Sequence, residues 1–88
     1  MWYLYVIECC DGSLYTGIAV DVHKRFALHA QGKAARYTRA HPPKCLLGYT
    51  AYPDRSSVAA AEYALKQLAP AQKRQQVAQW AGSTEDRG

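Results

Sequence analysis

Five residues with chemistry to offer appear along this 88-residue chain in the order Tyr5, Tyr15, Arg25, His29 and Glu62. Phosphodiester hydrolysis needs a base near the attacking water, positive charge on the non-bridging oxygens and a metal for the leaving oxygen. Arginine can grip two phosphate oxygens at once, and a single carboxylate completed by phosphate oxygens and water is an ordinary Mg2+ site. Tyrosine, with a pKa of about 10, is a poor base unless a metal or an arginine lowers it. Which of the two tyrosines handles the water is therefore open. Taken singly, each residue has a blander reading: Tyr5 and Tyr15 as packing aromatics, His29 as a surface histidine, Arg25 and Glu62 as an ion pair bridging two helices. The functional reading rests on their order and spacing agreeing together.

The elements that must position these residues can be read in turn. Residues 2–9 form an almost unbroken apolar and aromatic run, the pattern of a central strand buried on both faces. Residues 14–20 form a second strand, and Asp11–Gly12 between them signals a hairpin. Side chains alternate along a strand, so a strict two-residue loop would send Tyr5 and Tyr15 to opposite faces. For both to reach one phosphate the loop must be odd in length or bulged. We therefore expect a three-residue or bulged turn, with both hydroxyls on the face shared by Arg25 and Glu62.

Asp21 is a good N-cap for a helix over 21–31, ended by Gly32. Val22, Phe26 and Ala30 would mark its buried face, with Arg25 and His29 stacked four apart on one shoulder. Residues 32–43 read as an irregular basic loop carrying Lys33, Arg36, Tyr37 and Arg39, and 44–52 as a third strand. After a Pro53–Asp54 turn, Ser56 or Ser57 would cap a helix to about residue 68. Its apolar positions Val58, Ala61, Leu65 and Leu68 follow the helical period, and Glu62 falls among them, although Glu is rarely buried without a partner. Pro70 starts a short third helix whose Val77 and Trp80 pack back on the core. Residues 81–88 are small and polar, the composition of a flexible tail. The expectation is one α+β domain over 1–80: a small three-stranded antiparallel sheet, a β-hairpin plus one strand, flanked by three helices in the order β-β-α-β-α-α.

Lys and Arg number 11 against 7 acidic residues, a net charge of +4 compatible with a polyanionic partner. Three cysteines, two of them adjacent and none in a C-x-x-C pair, support neither a disulfide framework nor a zinc ribbon. No apolar run approaches the ~18 residues of a membrane span, and no secretory signal opens the chain. These features point to the cytoplasm.

Tyr3-Leu4-Tyr5 and Tyr15-Thr16-Gly17, with Arg25, His29, Glu62 and the loop Gly32-Lys33-Ala34-Ala35-Arg36-Tyr37-Thr38, make the sequence similar to the GIY-YIG nuclease domain, in particular its small stand-alone bacterial members. The likeness covers about residues 2–80. The first motif lacks the namesake glycine and isoleucine, Thr16 stands where isoleucine is usual, and the chain has no asparagine where many members carry one late in the domain.

The resemblance implies the fold given above and an endonuclease that cuts DNA in preference to RNA, with a role in DNA repair. Glu62 would hold Mg2+ or Mn2+, Arg25 would clamp the phosphate, and Tyr5 and Tyr15 would position or deprotonate the water with His29 assisting. Lys33, Arg36, Tyr37 and Arg39 would hold the nucleic acid, and no small-molecule cofactor is implied. The alternative is a module that keeps the fold and the basic loop to bind nucleic acid without cutting it. Covalent catalysis by a tyrosine is a weaker third reading, since only one arginine is placed to stabilise the charge.

Overall fold

Strands β1 (Trp2–Cys9) and β2 (Leu14–Ala19) form an antiparallel hairpin in which Tyr5 faces Gly17 and Ile7 faces Tyr15. In the computed structural model, which describes residues 1–80, the hairpin closes through Cys9 N–H to the Ser13 carbonyl (2.8 Å) and Gly12 N–H to the Cys9 carbonyl (2.9 Å). The loop is thus the three residues 10–12. Gly12 sits at φ +85°, a left-handed conformation that glycine adopts without a Cβ penalty. Asp11 Oδ1 accepts from Ser13 N–H (3.0 Å) and Ser13 Oγ–H (2.6 Å), locking the turn. The odd loop puts Tyr5 and Tyr15 on one face, as the sequence required.

β3 (Pro43–Tyr52) pairs antiparallel with the other edge of β1, giving the sheet order β2-β1-β3. Its register slips between Val6 and Ile7, where Val6 faces Gly48 and Ile7 faces Leu46. Leu47 is the extra residue. The bulge returns it to the face of Leu4 and Val6, while Leu46 and Tyr49 serve the face of Tyr5 and Ile7. β1 is therefore buried on both sides, as its continuous apolar run predicts.

One face, built on Leu4, Val6 and Leu47, packs under α3 (Arg55–Lys66) and α4 (Pro70–Ala78) through Val58, Leu65 and Val77. The other, built on Tyr5, Ile7 and Cys9, packs under α1 (Val22–Ala30) through Val22 and Phe26. Asp21 caps α1 by accepting from Lys24 N–H at 3.1 Å. Gly32, at φ +73°, ends it: the Lys33 N–H reaches the Leu28 carbonyl and the Gly32 N–H the His29 carbonyl. α4 opens on Pro70 and buries Val77, with Trp80 against the same core, as expected.

Four expectations need correction. The stretch read as irregular contains a fourth helix, α2 (Arg36–Ala40), too short to form on propensity and held by the burial of Thr38. The cap of α3 is Asp54, whose Oδ1 accepts from Ser57 N–H at 2.8 Å, because a carboxylate three residues before that amide outcompetes Ser56 or Ser57. That helix ends at Lys66 rather than 68. On α1, Ala30 is exposed and His29 is buried in its stead. The expected tail, 81–88, lies outside the described residues.

Candidate active site

The site is built outward from Tyr5, which is 2 % exposed at the middle of the central strand. Its ring lies across Gly17 of the neighbouring strand. A Cβ there would sit 2.5 Å from the Tyr5 hydroxyl oxygen and 2.6 Å from Cζ, so only glycine leaves the ring its place. From α1, His29 brings Nε2 to 2.8 Å from the Tyr5 hydroxyl. Its Nδ1 lies 2.6 Å from Thr38 Oγ1, and the Thr38 hydroxyl donates to the Ala35 carbonyl at 3.3 Å. Both His29 and Thr38 are 1 % exposed. A buried chain of polar groups thus runs from β1 through α1 to the start of α2.

Tyr15, half-buried, completes the aromatic part of the site: its ring centroid is 4.9 Å from His29 and 6.4 Å from Tyr5. Tyr37 of α2 stacks on Tyr15 at 5.9 Å, and His41 stacks on Tyr37 at 4.3 Å. His41 is held at its edge by Asp11 Oδ2, 2.6 Å from Nδ1.

Arg25 is exposed one turn before His29, and its charge acts on both Tyr5 and His29. Burial first, then Tyr15, pushes the Tyr5 phenol well above its ordinary range; Arg25 opposes that shift and Glu62 adds to it. Burial, and secondarily Arg25, lowers the pKa of His29. Near neutral pH the pair is therefore an intact phenol beside an uncharged imidazole.

Glu62 is half-buried and comes from α3, whose Val58, Ala61 and Leu65 fill the opposite core. Tyr5, Tyr15 and His29 gather on the α1 side with Arg25 on the same helix, and Glu62, whose charge acts on Tyr5, comes from a helix of the other layer. Nor is Glu62 alone. Lys66 Nζ lies 3.1 Å from its Oε2, one helical turn on, and among the described residues no ion pair joins Glu62 to Arg25.

Lys33, Arg36 and Arg39 are exposed, take part in none of the ion pairs among the described residues, and line an open surface groove with Gly32, Ala34 and Ala35. Because Tyr37 stacks on Tyr15, this basic groove adjoins the tyrosine pair. Sequence reasoning gave no role to Thr38, which no periodicity marks. Gly17 enters the sequence reading only as part of the Tyr15-Thr16-Gly17 motif, although an isolated glycine inside a strand also signals a close approach.

The chain matches the model of the GIY-YIG catalytic domain over residues 1–75. It is 51 % identical over 72 residues to a UPF0213 protein of Cupriavidus pinatubonensis, covering 82 % of this chain and 80 % of that one. A UPF0213 protein of Xanthomonas axonopodis pv. citri is 50 % identical over 72 residues, 82 % of this chain and 71 % of the relative. The solution NMR structure of the UPF0213 protein BH0048 from Bacillus halodurans superposes with a TM-score of 0.59 at 39 % identity, covering 98 % of this chain and 92 % of that one. A domain match over most of the chain, relatives at half identity and a shared three-stranded architecture agree: the chain belongs to the GIY-YIG catalytic domain family.

Proposed function

We propose that the protein is a divalent-metal-dependent endonuclease that hydrolyses phosphodiester bonds in DNA. The observation that carries this reading is the buried hydrogen bond between Tyr5 and an uncharged His29, a phenol–imidazole pair on which the charge of Arg25 acts. An imidazole held neutral has a lone pair to receive a proton, and the phenol is the group that can hand it one. Tyr15, more accessible than Tyr5, would position the incoming water. Arg25, without an ion pair among the described residues, is available to grip the scissile phosphate through two oxygens.

Among the described residues no cluster of three or more His, Cys, Asp or Glu could hold a metal. A lone hard-oxygen donor suits Mg2+ or Mn2+, which keep waters and take their remaining ligands from substrate phosphate. Glu62 fits that donor set: it is partly open, and among the described residues its ion-pair partner is the exposed Lys66. Glu62 would hold the ion, and the ion, when bound, supplies positive charge to the phosphate oxygens.

The exposed cations of α2 would track the DNA backbone, with Tyr37 beside them. No helix among the described residues is long and apolar enough to cross a membrane, and Cys9, Cys10 and Cys45 are free thiols; both agree with work in the cytoplasm. Lys33, Arg36 and Arg39, exposed and in none of the ion pairs among the described residues, also favour a second reading, a module that holds nucleic acid without cutting it.

Cleavage assayed with Mg2+ or Mn2+ on nicked, flapped, branched and single-stranded DNA, and on RNA, separates the two. Glu62→Gln is the control. It should lose metal-dependent cleavage while melting within about 0.5 kcal/mol of wild type, because an i,i+4 ion pair is worth about 0.3–0.5 kcal/mol. A marked loss of stability instead would make Glu62 a structural residue.

A further inference from the structure

We propose that Thr38 is a positioning residue that holds His29 in the Nδ1-protonated tautomer, turning the Nε2 lone pair towards the Tyr5 hydroxyl. A neutral imidazole carries one N–H, and both of its nitrogens face hydroxyl groups that can either donate or accept: Tyr5 Oη at 2.8 Å and Thr38 Oγ1 at 2.6 Å. Heavy-atom positions alone therefore permit two proton orders.

The two ends of the chain decide between them. The Thr38 hydroxyl has one proton and lies 3.3 Å from the Ala35 carbonyl, which can only accept. With that proton given to Ala35, Oγ1 turns a lone pair towards Nδ1, so Nδ1 carries the hydrogen and Nε2 accepts from Tyr5. In the reverse order Thr38 donates to Nδ1 and Nε2–H donates to Tyr5. The Tyr5 proton would then need another acceptor, and among the described residues its hydroxyl has no hydrogen-bond partner except His29. Tyr5 is 2 % exposed, so bulk solvent has little access to its hydroxyl. A buried donor without an acceptor is the costlier arrangement, and the first order leaves none.

The order Tyr5 O–H to His29 Nε2, His29 Nδ1–H to Thr38 Oγ1, Thr38 O–H to the Ala35 carbonyl gives the Tyr5 proton one exit, onto Nε2. Its catalytic meaning rests on the nuclease reading; the tautomer itself does not.

Long-range 15N–1H correlation NMR on the full chain, without metal or DNA, reads the protonation of each ring nitrogen. Signals of His29 are assigned against His23→Gln and His41→Gln. Wild type should show Nδ1 protonated and Nε2 bare, and Thr38→Ser, which keeps the hydroxyl, should match it. Thr38→Val keeps the shape but leaves one buried donor without an acceptor in either tautomer, Nδ1–H in one and Tyr5 O–H in the other, so the preference for Nδ1–H should be lost and His29 should show both forms. Protonated Nε2 in wild type overturns the proposal without any variant, and so does an unchanged Nδ1–H pattern in a folded Thr38→Val.

Single-turnover cleavage supplies the second arm. Thr38→Val should cleave more slowly than wild type with DNA affinity unchanged, and Thr38→Ser should recover the rate. A wild-type rate in Thr38→Val removes the positioning role. If wild type cleaves nothing while the tautomer pattern holds, the nuclease reading fails and the inference about Thr38 stands.

Discussion

Gly17→Ala isolates the contact on which the site is assembled. The added Cβ would lie 2.5 Å from the Tyr5 hydroxyl oxygen, 2.6 Å from Cζ and 3.1 Å from Tyr15 Cε2. Ordinary contact begins at 3.4 Å, so the Tyr5 ring must retreat by nearly 1 Å. It has little space to do so, being 2 % exposed between β2 and α1. Overpacking of a tight core costs about 1–3 kcal/mol. Displacing the hydroxyl from His29 forfeits a buried hydrogen bond, about 1–3 kcal/mol more. Gly17 is not among the positive-φ glycines, so the backbone itself tolerates alanine and the whole effect is steric. The expected loss is about 2–6 kcal/mol, and at about 4–8 °C per kcal/mol for a domain of this size the Tm falls by on the order of 10 °C or more. Gly12→Ala is the contrast: nothing lies within 4 Å of its Cβ, and the φ of +85° alone should cost about 1–2 kcal/mol. Thermal melts of both variants, with the His29 ring-nitrogen NMR signals, provide the assay. Gly17→Ala melting within about 2 °C of wild type, with those signals unmoved, would refute the packing argument.

Two further outcomes follow from buried polar groups. The Thr16 hydroxyl is buried without a hydrogen-bond partner among the described residues, so Thr16→Val should raise stability by about 1 kcal/mol in urea unfolding, and a loss of that size would contradict it. The folded pKa of His29 lies below its unfolded value of about 6.5, so as pH falls past about 6.5 the unfolded chain takes up a proton that the folded chain refuses. Stability should therefore drop between about pH 6.5 and the folded pKa, by at most about 1.4 kcal/mol per pH unit from this group. Urea midpoints across that range should slope less in His29→Gln, and equal slopes would count against the buried neutral imidazole.

Much of this arrangement was legible because it follows from local rules. The parity of a hairpin demanded an odd loop, and Cys9 to Ser13 closes one. Asp21, Gly32 and Pro70 marked helix ends by chemistry that acts within a turn. His29 was misplaced although the information was present: at about 100° per residue it lies about 20° from Val22, whereas Ala30 lies about 80° away. Asp54 was taken for a turn residue because the serines after it are also good caps, and only the amide geometry chooses. α2 was invisible for a different reason. Five residues do not make a helix unaided, and what holds them is the burial of Thr38 against a histidine on another helix. That contact belongs to the folded chain alone, and with it goes the hydroxyl that orders the protons of the site.

The most direct measurement is single-turnover cleavage of DNA in Mg2+ or Mn2+, paired with binding titrated against salt, on wild type, Arg25→Ala and a Lys33/Arg36/Arg39 triple alanine variant. If Arg25 stabilises charge in the transition state, its loss should cost on the order of 10²–10³ in rate with little change in affinity. The triple variant should behave conversely, weakening binding and removing about 0.9 from the salt slope on duplex for each lost phosphate contact. Wild-type protein that binds with a clear salt slope but cuts no tested substrate with either metal would contradict the nuclease account and leave the binding module.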